Sequence, residues 1–263
     1  MVIFFLLAAT LAALTFACQG ANPKHGAWLV PVIGLLLVPR ITPRPHMFSW
    51  ALLAICMALC TAGRERSWIL RAACLPLIAL GSNFHAGAIF SAVTLATFCA
   101  ESAFLQRAWG REVLIAALGF AALMANPGGS HNLFYATWHL RVYQLVKLSE
   151  FETPRPLDLP AFYVLVPLVL GFALLRARKQ PAGVVLALGF ALGGLWAARV
   201  AFKFYIVAAP ILAAGLPVFV ERYHHRAGAL FGVLLVLLGL GPNARRFSRL
   251  ELSAAWDRSV LPV

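Results

Sequence analysis

The chain has 263 residues, 62% of them hydrophobic and 12% charged, with a formal net charge of +13. A water-soluble domain has nowhere to bury that much apolar surface, whereas lipid accepts helices that are apolar all round. The basic residues are scattered between apolar runs, with no polybasic tract or nucleic-acid motif, so the charge implies membrane orientation and anionic ligands rather than a nucleic-acid partner. Backbone in lipid must pair within its own segment, so the expected fold is all-α. It is a polytopic transmembrane helix bundle forming a single membrane domain over residues 1–263.

The first run, Val2–Cys18, ends in Ala-Cys-Gln-Gly like a cleavage site. It lacks the basic start of a signal peptide and is read as a membrane span. Further spans are expected at 27–38, 47–62, 68–80, 86–105, 112–125, 161–175, 183–198, 204–220 and 227–240. That gives about ten, although a full crossing takes about 20 apolar residues and several runs are shorter. If every run spans, GRERSW (63–68), QRAWGRE (106–112), RARKQ (176–180) and ERYHHR (221–226) share one side with Asn22–His25. The other side holds PRITPRPH (39–46), GSNFHAG (81–87), the 125–160 stretch, Arg199–Lys203 and the C-terminal tail. Lys and Arg divide evenly between the two, so the positive-inside rule does not orient the chain. The tail carries Arg245, Arg246, Arg249 and Arg258, read as contacts with headgroups, which makes membrane lipid an expected partner.

Ala125–Pro160 is the long polar stretch, with Glu150, Glu152 and Asp158 among the nine acidic residues. Asn-Pro-Gly-Gly at 126–129 ends the preceding span. Beyond it, Phe134, Trp138, Leu145 and Leu148 recur along one helical side, and Asn132, His139, Tyr143 and Glu150 along another. This predicts one interfacial amphipathic helix within an extramembrane loop, followed by an irregular return through Pro154, Pro156 and Pro160. The competing reading is an interfacial loop without chemistry. Cys18, Cys56, Cys60, Cys74 and Cys99 lie in apolar runs and are read as small buried hydrophobes. No metal site is expected, and no cofactor is assigned.

Charged or strongly polar groups at span ends are costly and point to a site. On the second side they cluster. Arg40, Arg44 and His46 flank three prolines; Asn83 and His85 precede Gly87; Asn126 is followed by His131; Arg199 and Lys203 sit one helical turn apart. Each piece alone reads as a headgroup anchor, and only convergence on one side raises a binding role. Arg forks grip phosphate bidentately and Lys adds a point charge, so the set suits a phosphorylated amphiphile. Catalytic triads, phosphate-binding loops, dinucleotide fingerprints and paired zinc ligands are missing from the sequence.

Five stretches resemble, in order and spacing, the motifs of bacterial GT-C superfamily membrane proteins. They are RPHMFSW (44–50), SNFHAG (82–87), ANPGG (125–129), LSEFETP (148–154) and ARVAFKFYIVAAP (198–210). That group comprises multi-span glycosyltransferases that take sugars from polyprenyl-phosphate carriers. Its matching positions read Arg-Pro-Gln-hydrophobic-Phe-Ser, Asn-x-His-Gly, Asn-Pro-x-Gly, Ser-Glu-Trp-x-Ser-Pro and Arg-x-x-Pro-Leu-Phe. Ala86 stands where the group has Gly, Phe151 replaces Trp, and Phe202-Lys203 replaces Pro-Leu. GT-C enzymes carry a catalytic acidic residue in the first outward loop, whereas here no Asp or Glu precedes Glu65. The chain therefore resembles such a protein lacking its N-terminal catalytic-loop region.

The resemblance implies a polyprenyl-phosphate-linked sugar as ligand, bound in the bacterial cytoplasmic (inner) membrane with the site facing the periplasm. Arg40, Arg44, Arg199 and Lys203 would hold the phosphate. Asn83, His85, Asn126 and Glu150 would line the sugar end, with His46 and His131 beside them. Glu150, the acidic residue within a matching motif, is the candidate catalytic base, against a structural role beside Arg141 or Lys147. Glycosyl transfer to an envelope acceptor is left open by the missing loop. The alternative is a non-catalytic or split-enzyme subunit packing against a protein partner that supplies the missing N-terminal spans. A small-solute transporter fits less well, because Glu101 is the one acidic candidate inside a span.

Overall fold

The computed structural model describes residues 2–21, 23–38, 41, 44–64, 67–130, 134, 153–223, 233 and 237. Among these, all regular structure is helical, with no strand. The helices are α1 (Val2–Ala21), α2 (Pro23–Leu37), α3 (His46–Ala62), α4 (Trp68–Ala72), α5 (Cys74–Phe84), α6 (Ala88–Gln106), α7 (Trp109–Ala122), α8 (Pro160–Leu175), α9 (Pro181–Trp196) and α10 (Ala198–Tyr223). Proline marks several starts: Pro23, Pro160 and Pro181 open their helices and Pro45 precedes α3, positions where a missing N–H breaks no helical bond. The 68–80 run, expected as one span, is divided at Ala73 into α4 and α5, the latter running on to Phe84.

Among the described residues, three helices are long and apolar enough to cross a membrane: Val2–Ala21, Ala86–Gln106 and Ala198–Pro217. The apolar helices His46–Ala62, Trp68–Phe84, Pro160–Leu175 and Pro181–Trp196 are shorter. The outward surface is apolar as well. Phe4 is 77% exposed, Phe16 71% and Leu175 64%, so side chains facing away from the bundle are as hydrophobic as those facing in. Such a surface suits lipid better than water. The expected span at 227–240 lies outside the described residues except for Val233 and Leu237, both helical. The predicted interfacial helix does too, except for Phe134, which is helical and exposed.

The centre of the bundle is α10, packed against α1, α2, α3, α8 and α9. Every residue from Ala201 to Pro210 is buried. Close approach of α9 requires glycine at 194, where a Cβ would lie 2.6 Å from the Phe162 ring and 3.1 Å from the Ala201 Cα.

Polar contacts sort the two ends of the bundle. At one end the Asn83 amide donates to the Ala125 carbonyl at 2.7 Å, joining the ends of α5 and α7. At the other, Arg64 Nε donates to Glu101 Oε1 at 2.6 Å, and Glu101 Oε2 accepts the Ala182 N–H at the start of α9. Nearby, buried Arg71 forks onto buried Glu112, Nε to Oε2 at 3.0 Å and Nη2 to Oε1 at 2.7 Å. It also donates to the Gly63 carbonyl and to Ser102 Oγ, tying α4, α6, α7 and the turn after α3 together.

Candidate functional site

Three chain segments meet at the first of these ends around a cavity of about 120 Å³. Arg44, Pro45, His46 and Trp50 come from the start of α3, His85 from the end of α5, and Arg199, Phe202 and Lys203 from the first turns of α10. Helices α3, α6 and α10 all begin beside it, at His46, Ala88 and Ala198. Helix starts carry partial positive charge and normally favour acidic residues in their first turn. None of these three has one. Cations stand there instead, Arg44 just before α3 and Arg199 within the first turn of α10. Cations and helix starts together favour negative charge at this end of the bundle.

His85 leaves the helix in an extended conformation, φ −162 and ψ 134, which turns its ring back toward α3. Its Nδ1 accepts the Gly87 N–H at 2.9 Å and lies 2.6 Å from Ser49 Oγ. A backbone N–H always donates, so this network assigns Nδ1 as the acceptor and puts the proton of the neutral ring on Nε2. That Nε2 lies 3.5 Å from Arg199 Nη2. Two donors side by side are suited to share one acceptor oxygen. Gly87 has no alternative: a Cβ there would lie 2.3 Å from Ser49 Oγ and 2.6 Å from His85 Nδ1.

Lys203 is 1% exposed, with its Nζ 4.6 Å from the centroid of Phe90, a cation–π contact that tolerates charge in an apolar wall. The wall is aromatic. Trp50 meets His46 edge-on at 5.1 Å and stacks on Phe202 at 6.3 Å.

The structure thus brings together Arg44, His46, His85, Arg199 and Lys203. Asn83 and Asn126 are not among the residues that line the cavity. Asn83 bonds the Ala79 and Ala125 carbonyls, while Asn126 holds its own turn, donating to Leu123 O and accepting from the Gly128 N–H. That turn closes at Gly129, whose φ of +54 suits glycine. Arg40, His131 and Glu150 lie outside the described residues. Sequence reasoning did not pick out Ser49, Trp50, Phe90 or Phe202. Trp50 had a signal, being one helical turn after His46 on the same face. Among the described residues, no group of three His, Cys, Asp or Glu side chains is placed to hold a metal ion.

Comparison with protein-family models, curated proteins and solved structures found no match to the chain.

Proposed function

We propose that this protein is a polytopic membrane protein, GT-C-like with about ten spans, that binds a polyprenyl-phosphate-linked sugar in the Arg44–His85–Arg199 cavity. The reading places the cavity on the periplasmic side of a bacterial inner membrane. The phosphate sits among Arg44, Arg199, Lys203 and His85 Nε2, and the sugar and polyprenyl chain extend out of the cavity. One observation carries it: three of the five motif segments, far apart in sequence, deliver their cations and imidazoles to one cavity beside three helix starts. Charge-assisted bonds from guanidinium, ammonium and imidazole groups suit a phosphate diester, and the aromatic wall suits an isoprenoid or sugar face. Glu150 is the candidate base for any glycosyl transfer.

The test is binding of a polyprenyl-phosphate-linked sugar to purified protein, wild type against Arg44→Ala and Arg199→Ala. Each variant is expected to weaken binding by about 1–3 kcal/mol, the scale of a charged hydrogen bond. If both variants bind like wild type, or wild type binds no such lipid, the proposal fails and the partner-subunit reading replaces it.

A further inference from the structure

Ser49 differs from the threonines of the bundle in where its hydroxyl proton goes. Thr10, Thr15, Thr61, Thr94 and Thr97 each donate to the carbonyl four residues back in their own helix. Ser49, buried in the first turn of α3, instead meets His85 Nδ1 at 2.6 Å across 36 positions. The same nitrogen accepts the Gly87 N–H at 2.9 Å. A backbone N–H only donates, so Nδ1 is unprotonated and the Ser49 hydroxyl is a second donor to it. A proton on Nδ1 would oppose the Gly87 N–H. It would also add a charge beside a cavity that Arg44 and His46 line from the start of α3, and Arg199 and Lys203 from α10. The ring is thereby held neutral, with its proton on Nε2.

We propose that Ser49 is a positioning residue, which fixes the His85 ring so that Nε2–H serves the cavity as a neutral, directed donor to a phosphate oxygen. The inference rests on the phosphate reading above for what that donor meets. Ser49 is not among the residues that line the cavity, so it acts through the ring. Three elements build the device: the hydroxyl from α3, His85 extended at the end of α5, and Gly87 just before α6. An imidazole held by one bond can still turn about it. Two donors that reach Nδ1 from different elements set the plane of the ring and its tautomer together. The orientation matters more for His85 than for its neighbours. Guanidinium and ammonium groups attract an anion from a range of directions, whereas a neutral N–H holds an oxygen only near its own axis.

The experiment uses the full chain in detergent and has two arms. The first needs no ligand: nitrogen NMR of isotope-labelled histidine, with the His85 signals assigned by their loss in His85→Gln. Wild type is expected to show a neutral His85 with its proton on Nε2. Ser49→Ala is expected to show a share of the ring with the proton on Nδ1, and Ser49→Thr, which keeps a hydroxyl, to restore the wild-type signal. The second arm measures affinity for a polyprenyl-phosphate-linked sugar. Ser49→Ala is expected to weaken binding about fivefold, the scale of one hydrogen bond, and to weaken it no further in a His85→Gln background. A wild-type His85 protonated on Nδ1, or a Ser49→Ala ring identical to wild type, overturns the inference whether or not ligand binds. Equal losses from Ser49→Ala with and without His85 overturn it too, since Ser49 would then act on the fold rather than through the ring. Wild-type protein that binds no such lipid fails the phosphate reading instead, and the first arm still decides whether Ser49 sets the His85 tautomer.

Discussion

Arg199 Nη2 and His85 Nε2 lie 3.5 Å apart across a sequence separation of 114 residues. Because the other ring nitrogen of His85 accepts from Gly87, the facing atoms are both donors. The two groups are therefore donors held side by side, and their geometry rests on a glycine.

Gly87→Ala should displace His85 or Ser49, since the new Cβ would fall 2.3 Å from Ser49 Oγ. The expected cost is about 1–3 kcal/mol of stability, with weakened binding of the polyprenyl-phosphate-linked sugar. Gly110→Ala, where nothing lies within 4 Å, is the control and should change neither. Thermal unfolding in detergent, paired with the binding assay, separates the two. Unchanged binding in a folded Gly87→Ala protein would remove His85 from the site.

Lys203→Met tests whether this buried charge serves binding or the fold. Loss of the cation–π contact with Phe90 costs about 0.5–2 kcal/mol of stability. Affinity for the phosphate ligand should drop by more than that loss of stability accounts for. Collapse of the fold with ligand affinity intact would reverse the assignment.

Arg71→Met should be among the most destabilising single changes. It strands Glu112, whose side chain is fully buried, and breaking one side of a buried pair costs about 3–5 kcal/mol. Arg111 reaches the same carboxylate at 3.2 Å from a 43% exposed position and does not replace the fork. Arg71→Met combined with Glu112→Leu should recover most of the loss. A double variant no better than the single one would mean that the bonds to Gly63 and Ser102 matter more than the ion pair.

Cys60 Sγ lies 3.9 Å from Cys74 Sγ, so α3 and α5 should cross-link when a membrane-permeant oxidant is added. Intact mass after alkylation would show two thiols consumed in one molecule, and Cys74→Ser should abolish it. Alkylation of both thiols after oxidation would contradict the packing of these helices.

The sequence showed where helices end more clearly than what their polar groups do there. Alternation of apolar runs placed Arg44, His85 and Arg199 at one end of the bundle, because direction reverses at each short connection. The same reasoning grouped Asn83 and Asn126 with them, yet both amides are spent on carbonyls of nearby helix ends. An Asn that satisfies backbone looks, in sequence, like one that faces a ligand. Arg71 and Glu112 were illegible as a pair: 41 positions separate them, and their bond depends on how α4 and α7 cross. The thiols of Cys60 and Cys74 approach for the same reason, through packing between helices rather than spacing within one.

Helix α10 lies at the middle of the described bundle, yet it is made after each of the described helices it packs against. On a growing chain α1, α2, α3, α8 and α9 leave the ribosome with their inner faces opposite a vacant groove. The emergence of residues 198–223 fills it. Arg44 and His85 wait through more than a hundred residues of synthesis for Arg199 to arrive, since 114 positions separate it from His85. Among the described helices, packing of the bundle centre and completion of the Arg44–His85–Arg199 cavity both depend on the residues that follow Ala197.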